Sequence, residues 1–131
     1  MMMMRFASLT LAAATVATIV TVAASAQPAP AEEQALYQAK CGGCHSLDSN
    51  RIGPGHRGIV GRKIATVPGY AYSPALKKLQ GTWTPARLDA WLQGPQKVAP
   101  GSKMFLTIRD PAQRTKIIKY LELTSRPAPP K

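Results

Sequence analysis

Apolar residues recur at helical spacing in two long stretches of this chain. In the middle of the sequence, Leu88, Trp91 and Leu92 stand at positions i, i+3 and i+4 and so form one stripe on a helix. Near the C-terminus a second stripe predicts the buried side of a longer helix, and its members are Ile117, Ile118, Tyr120 and Leu121. Both patterns predict helices that turn one face towards a core.

Capping signals predict where the helices start and end. A polar residue followed by proline suits the N-cap and the first helical position. This pair occurs at Ser73-Pro74, Thr84-Pro85 and Asp110-Pro111. The first pair predicts a short helix that stops near Leu79, and Gly94-Pro95 predicts the end of the middle helix. Glu32-Glu33 predicts the start of a first helix, since carboxylates complement the positive end of the helix dipole.

The predicted elements are three main helices and one short helix, joined by long loops rich in glycine and proline. Loops of this length are unusual in an ordinary compact domain. They are explained if they wrap around a cofactor that supplies part of the core. The sequence therefore predicts one all-α domain built around such a group.

The N-terminus is typical of a secretory signal. Arg5 precedes an apolar run from Leu9 to Ala24, and Ala24-Ser25-Ala26 matches a small-residue cleavage site. An uncleaved membrane anchor is the alternative, which the short run of small residues disfavours. We therefore expect a signal peptide at 1–26, a flexible lead-in at 27–31, the domain at 32–125 and a Pro-rich tail at 126–131. The exported protein is expected in the periplasm.

The chemistry of the domain is expected at Cys41-Gly42-Gly43-Cys44-His45. Two cysteines three apart, with histidine directly after the second, match the attachment signature of c-type haem. Cys41 and Cys44 would each form a thioether bond to one porphyrin vinyl group, and His45 would bring an imidazole nitrogen to the iron. Export agrees with this interpretation, since haem is attached to such proteins outside the cytoplasm.

Three other interpretations of the two cysteines remain open at this point. A thioredoxin-like redox pair would need a βαβ context, which the flanking sequence does not provide. A zinc site needs four ligands. The soft candidates in the chain beyond the predicted signal are only Cys41, Cys44, His45 and His56, and the adjacent Cys44 and His45 would both have to bind the same small ion. A disulfide between the two cysteines would close a very small loop and stabilise little.

A second axial ligand is expected at Met104. Met1 to Met4 account for four of the five methionines, so Met104 is the only one beyond the predicted signal. Methionine as an axial ligand raises the reduction potential of haem iron. The alternatives are a gap-filling core role for Met104 and ligation by His56 instead. His56 is close to His45 in sequence and would not easily reach the opposite face of the ring.

In the order of its landmarks, the chain resembles class I cytochrome c, close to mitochondrial cytochrome c and bacterial cytochrome c2. The resemblance covers about Ala31 to Leu123. After the haem pentapeptide, the landmarks in order are Gly53-Pro54, Gly61-Arg62-Lys63, Pro68-Gly69-Tyr70, Tyr72-Ser73, Thr82-Trp83, Pro95, Pro100 to Met104, and Tyr120-Leu121. The resemblance implies an all-α cytochrome c fold, with three main helices and a short one wrapped around one covalently bound haem c.

The resemblance also implies roles for single residues. Cys41 and Cys44 would bind the haem covalently, while His45 and Met104 would be the axial ligands of the iron. The Pro54 carbonyl would accept a hydrogen bond from the other ring nitrogen of His45. The residues implied to surround a haem propionate are Arg62, Tyr72 and Trp83. A buried carboxylate needs such cations and donors, although ordinary packing or a solvated charge is the alternative for each.

One position departs from the family's pattern. Mitochondrial members carry a tyrosine, with its hydroxyl directed at the methionine sulfur, where this chain has Trp91. The indole N–H of Trp91 would donate to the sulfur of Met104, or its ring would simply pack on the haem. Trp91 is therefore an expected neighbour of the ligand, with an effect on the potential.

The formal net charge of the chain is +11. Such charge steers a protein to acidic partners over about 8 Å at physiological salt. Lys40, Lys97 and Lys103 flank the haem-binding segments and are the expected partner face, with a generally solvated surface as the alternative. Nucleic-acid binding is the other use of such charge, but no recognition motif or aromatic stacking platform accompanies it.

Together these features predict a periplasmic monohaem c-type cytochrome that carries single electrons as a monomer and is not an enzyme. The expected partners are an oxidase, a bc1-type complex, a photosynthetic reaction centre or a dehydrogenase, reached by transient contact at the membrane. Two other functions stay open. One is a haem enzyme or a gas or peroxide sensor in which Met104 dissociates, and the other is an electron-transfer subunit of a larger dehydrogenase.

Overall fold

The computed structural model describes residues 31–127, and within this span it contains helices and no strand. The helices are α1 (Ala31–Lys40), α2 (Pro74–Lys77), α3 (Pro85–Gln93), α4 (Pro95–Val98) and α5 (Pro111–Ser125). The predicted all-α fold with three main helices is confirmed. The predicted signal peptide at 1–26 lies outside the described residues, as do the lead-in before Ala31 and the tail after Pro127. Ala31, expected in the lead-in, is the first residue of α1.

The predicted N-caps make the hydrogen bonds that their residue types suggested. Ser73 Oγ accepts from the backbone N–H of Leu76 at 3.1 Å, and Thr84 Oγ1 accepts from that of Arg87 at 3.2 Å. Asp110 Oδ1 accepts from the next helix's second residue, Ala112, at 2.8 Å. Each bond satisfies an N–H that the first turn of a helix cannot pair.

The short helix α4 is an element that the sequence pattern missed. The predicted end of α3 is correct, since Gly94 follows its last residue, Gln93. Pro95, however, does not continue a loop but begins a second helix of four residues. Proline suits this first position because the N–H it lacks would have no partner there. The loop after α4 carries Met104, so α4 sets where that loop starts.

The core forms where α1 and α5 pack together, with α3 against α5. Tyr37 of α1 and Ile117 of α5 are both 0% exposed. The ring centroids of Tyr37 and Tyr120 lie 4.8 Å apart. Tyr37 therefore packs across the last helix, and this contact fixes the end of α1 that leads into the cysteine motif.

A partly buried ion pair joins α3 to α5. The Arg114 side chain is 10% exposed, and its Nε donates to Asp89 Oδ1 at 2.6 Å. Its Nη1 also donates to the backbone oxygens of Ile108 and Arg109, at 3.0 and 2.8 Å. A buried guanidinium needs such acceptors. Arg114 therefore ties the chain that follows Met104 to both helices.

Backbone hydrogen bonds between distant segments order the long loop between α1 and α2. The N–H of His56 donates to Ser46 O at 2.9 Å, which places His56 beside the residue that follows His45. Further along, Gly61 N donates to Trp83 O at 2.8 Å and Trp83 N donates to Arg62 O at 2.9 Å.

Across residues 31–127, none of the helices has the length and apolar character that a membrane-spanning helix requires.

Candidate haem site

The cysteine motif lies on the turn that continues α1. Cys41 N donates to Tyr37 O at 2.7 Å, and His45 N donates to Cys41 O at 2.9 Å. Both cysteines are free thiols, with Cys41 buried and Cys44 exposed. Burial, together with the nearby Cys44, raises the pKa of the Cys41 thiol to about 12. The two thiols are therefore unpaired and held on one turn, as attachment to a single group requires.

The His45 imidazole is held in a fixed orientation. Its Nδ1 lies 2.9 Å from the carbonyl oxygen of Pro54, as predicted, and donates to it. Nε2 is then the ring nitrogen that keeps a lone pair, which is the form in which histidine binds a metal. Burial lowers the pKa of His45, against the opposing effect of its hydrogen bond to Pro54. The lowered pKa favours the neutral ring, which is the form that binds a metal.

Gly53 is required by the close approach of the His45 ring. A Cβ at Gly53 would lie 2.5 Å from Nδ1 and 2.7 Å from Nε2 of His45, closer than non-bonded atoms allow. The Gly53 N–H donates to Cys44 O at 2.8 Å, so this segment cannot easily move away. The sequence showed Gly53 only as a landmark of a resemblance, and the structure gives its physical reason.

The His56 ring stacks on the His45 ring. Their centroids are 3.9 Å apart and their planes differ by 22°. Tyr37 Oη lies 3.0 Å from His56 Nδ1, which joins His56 to the α1–α5 packing. Burial, with the nearby charges of His45 and Arg62, lowers the pKa of His56 well below its ordinary value. His56 lies beside the His45 ring and not across from it, so this geometry does not favour the alternative of His56 as the second axial ligand.

Met104 and Trp91 meet as the departure from the family's pattern suggested. Trp91 Nε1–H donates to Met104 Sδ at 3.1 Å. Trp91 is buried and lies edge-on to Trp83, with ring centroids 5.5 Å apart. A thioether sulfur is a weak acceptor with a second lone pair. The indole therefore holds the sulfur in place and leaves it able to bind a metal.

Gln96 is a residue of the site that sequence reasoning missed. Its side-chain amide bonds to Gly101, Ser102 and Met104, the loop that carries the predicted ligand. The signal that could have found it is its position in the first turn of α4, five to eight residues before the loop residues to which it bonds. That spacing alone does not reveal which way the side chain turns.

The three residues expected at a propionate are placed differently from one another. Arg62 Nη2 donates to Gly55 O at 2.9 Å and Nη1 donates to Arg57 O at 3.0 Å. Trp83 is buried and bonded to Arg62 through the backbone, so these two lie together. Tyr72 Oη accepts from Val67 N at 3.1 Å. Their roles towards a propionate stay predictions.

The three lysines of the expected partner face, Lys40, Lys97 and Lys103, are all exposed. The Lys103 ammonium group is nevertheless bonded, since its Nζ donates to Ala71 O at 2.6 Å and lies 5.9 Å from the centre of the Tyr70 ring. Lys103 therefore also ties the methionine loop to the segment before α2. Phe105, which follows Met104 directly, is 75% exposed.

These residues fit a covalently held haem. The motif offers two free thiols, and His45 offers an imidazole whose other nitrogen is already bonded. Met104 offers a sulfur that the indole of Trp91 orients. Thioether sulfur and imidazole nitrogen are the donor pair that c-type cytochromes use for iron.

Comparisons with known proteins find a family model and several relatives similar to this chain. The family model described as Cytochrome c matches residues 31–125. Cytochrome c2 of Rhodopila globiformis is 41% identical over 96 residues, which are 71% of this chain and 91% of that protein. The solved structure of cytochrome cH from Methylobacterium extorquens is 42% identical, with a TM-score of 0.66, and the match covers 70% of this chain and 95% of that one.

A longer relative also matches. The cytochrome c-type cyt cy of Rhodobacter capsulatus is 41% identical over 92 residues, which are 69% of this chain. They are 46% of that relative, so the chain spans about half of its length.

Proposed function

Because this chain belongs to the cytochrome c family, we propose that it is exported to the periplasm and carries single electrons between protein partners there. The family binds one haem c covalently, and this chain carries one as well. When bound, haem supplies the one-electron change of its iron, while the protein supplies ligation, burial and orientation.

The residues that would hold the haem are those of the site. Cys41 and Cys44 would form its thioether bonds, and His45 Nε2 and Met104 Sδ would be the axial ligands. Pro54 O fixes the tautomer of His45 by accepting from Nδ1. Arg62, Tyr72 and Trp83 remain the proposed surroundings of a propionate; Arg62 has donors beyond the two that bond to backbone oxygens.

The observation that carries the proposal is the contact between Trp91 and Met104. A carrier needs the same ligands in both oxidation states, because any ligand exchange slows electron transfer. The sulfur is held by an indole donor, and the backbone around it is held by Gln96 and Lys103. A peroxide enzyme or gas sensor would instead need a methionine that leaves the iron. The geometry favours a carrier that does no substrate chemistry.

The partners proposed are acidic redox proteins. The charge of +11, which falls only to +10 when Arg5 is removed with the predicted signal, supports steering by a positive face, for which Lys40, Lys97 and Lys103 are the candidates. Phe105 and Leu106 are exposed next to the ligand and supply an apolar centre to such a contact. An oxidase, a bc1-type complex, a photosynthetic reaction centre or a dehydrogenase would each suit this surface, with contact at the membrane short-lived and the carrier monomeric.

The proposal is tested by spectra of the protein expressed with haem-maturation machinery. We expect c-type bands in the reduced-minus-oxidised spectrum and a weak near-infrared band of the ferric protein, which reports sulfur on iron. Met104→Leu should remove the near-infrared band and lower the midpoint potential, while the c-type bands remain. A high-spin ferric iron that readily binds peroxide or nitric oxide at neutral pH would instead support the enzyme or sensor. Stable co-purification with a dehydrogenase would support the subunit.

A further inference from the structure

We propose that Gln96 is the positioning residue that holds the Met104 loop in its ligating conformation and so decides how firmly the sulfur is retained. This inference rests on the proposed role of Met104 as an axial ligand. It adds a residue from outside the haem motifs, on the helix that the sequence pattern did not predict.

The Gln96 amide uses both of its ends on the loop. Its Oε1 accepts from Gly101 N at 3.1 Å. Its Nε2 donates to Ser102 O and to Met104 O, each at 2.8 Å, and lies 3.0 Å from Ser102 Oγ. Only one orientation of the amide allows this, because a backbone N–H must donate and a carbonyl oxygen must accept. The side chain therefore matches the loop in both polarity and reach.

The loop has few other bonds of its own. Ser102 N donates to Ala99 O at 3.0 Å, and the next backbone-to-backbone bond is from Ile108 N to Leu92 O at 2.8 Å. Within the described chain, residues 103–107 make no hydrogen bond of that kind. Gly101 has φ of +89°, and proline precedes it without an N–H, so a regular helix cannot form here. The backbone at Met104 therefore depends on side chains, and Gln96 bonds to it directly.

Two substitutions separate the hydrogen-bonding chemistry of the Gln96 side chain from its size. Gln96→Ala removes every contact with the loop. Gln96→Glu keeps the shape but turns carboxylate oxygens towards the carbonyl oxygens of Ser102 and Met104, which repels where the amide attracted. If Gln96 positions the ligand, both variants should loosen the sulfur, and the glutamate variant at least as much as the alanine variant.

The experiment measures imidazole binding to the ferric holoprotein, followed by loss of the near-infrared band. We expect imidazole to displace Met104 about tenfold more readily in Gln96→Ala than in the native protein, a change of about 1.4 kcal/mol. Amide hydrogen exchange at Gly101, whose N–H loses its acceptor, should speed up in the same variant. The midpoint of global unfolding should change little, in contrast to the tenfold change in imidazole affinity.

The matched control is Gln93→Ala. Gln93 is an exposed glutamine on α3 whose Nε2 donates to Asp89 Oδ2 at 2.6 Å, and it makes no hydrogen bond to the loop. It should bind imidazole as the native protein does. Should Gln96→Ala fail to accumulate, Gln96→Asn keeps the amide one methylene shorter and should give an intermediate affinity.

The outcomes distinguish this inference from the function it rests on. A native protein without the near-infrared band would overturn Met104 as the ligand, and with it the proposed function. A native protein with the band, and Gln96 variants whose imidazole affinity and Gly101 exchange match those of Gln93→Ala, would overturn the role of Gln96 alone.

Discussion

At the scale of single residues, the site is a set of contacts that leave each of the two proposed ligands one free direction. His45 is bounded by the Pro54 carbonyl at Nδ1, by the backbone of Gly53 at its edge and by the His56 ring on one face. Met104 is bounded by the Trp91 indole. Because each contact is made by protein alone, the orientation of both ligands is prepared by the fold.

The closest of these contacts gives a prediction for Gly53→Ala. The added Cβ would meet the His45 ring at 2.5 to 2.7 Å from its two nitrogens. We expect a loss of about 2 kcal/mol or more in the free energy of unfolding, since overpacking costs about 1–3 kcal/mol, and a lower yield of attached haem. Urea unfolding and the c-type absorbance measure the two effects.

Gly43→Ala is the control for that substitution. A Cβ at Gly43 meets nothing within 4 Å, although it lies in the haem motif itself. It should change stability and haem yield little. Equal losses in both variants would contradict the steric account of Gly53.

Trp91→Phe tests the bond between indole and sulfur. Phenylalanine keeps an aromatic ring in the buried site but cannot donate to Met104 Sδ. Donation draws electron density from the sulfur and favours the reduced iron, so its loss should lower the midpoint potential. A net hydrogen bond of about 1 kcal/mol sets the change at about 40 mV at most. A raised or unchanged midpoint potential would contradict a role for this hydrogen bond in setting the potential.

The residues of the site differ in how far the sequence could predict them. The spacing of the cysteine motif and the single methionine beyond the predicted signal predict His45 and Met104 as ligands, and the resemblance predicts Pro54 and Trp91 beside them. Gln96 and the stacked His56 were not foreseen as neighbours of the ligands. The position of His56 depends on the backbone bond from its N–H to Ser46 O, and the contacts of Gln96 depend on which way its side chain turns. Local spacing carries neither kind of information.

At the scale of elements, the helices are predicted more by the capping residues at their ends than by the apolar pattern of their interiors. The three capping pairs fixed the starts of α2, α3 and α5. The same logic applies to Pro95, where proline at a first helical position begins α4. In the sequence, Gly94-Pro95 predicts only the end of α3, because Gly94 is also a stop signal. A glycine between two helices serves both.

Asp89→Asn tests the ion pair that joins α3 to α5. Arg114 donates to Asp89 and holds the pKa of that carboxyl below its ordinary value of 3.8. The contribution is therefore complete above about pH 4 and disappears as the pH falls through the lower pKa of the folded state. At neutral pH the variant should lose about 1–2 kcal/mol, since Asp89 is partly exposed.

Urea unfolding of the native protein and of Asp89→Asn between about pH 6 and pH 2.5 measures this dependence. The difference between them should shrink towards the acid end. Asp48→Asn removes an ion pair with Arg57 in which both side chains are more than half exposed, and should cost less. A difference that grows as the pH falls would contradict the assigned sign.

At the scale of the whole molecule, the net charge of +11 is the feature proposed to attract acidic partner proteins. Its placement decides whether it steers electron transfer or only keeps the chain soluble. Lys40 stands at the end of α1 next to the cysteine motif, and Lys97 stands in α4 next to the methionine loop. Both lysines are predicted at the partner face because they are close in sequence to the proposed ligands. That proximity could not show that Lys103 is bonded to Ala71.

Charge reversal tests this placement with an anionic oxidant. Lys40→Glu and Lys97→Glu should each slow the oxidation of the reduced protein by ferricyanide about two- to fivefold at low ionic strength, and less at high salt. Lys119→Glu makes the same change in net charge at an exposed position of α5 and should have a smaller effect. Equal effects at all three positions would show that net charge alone matters.

The proposed function depends on haem joined covalently to this chain through Cys41 and Cys44. The most direct test is the intact mass of the purified, secreted protein under denaturing conditions. We predict the mass of the processed polypeptide plus one haem, and the bare polypeptide when both cysteines are replaced by serine. The bare mass for the native protein, from cells that attach haem to another c-type cytochrome, would contradict it.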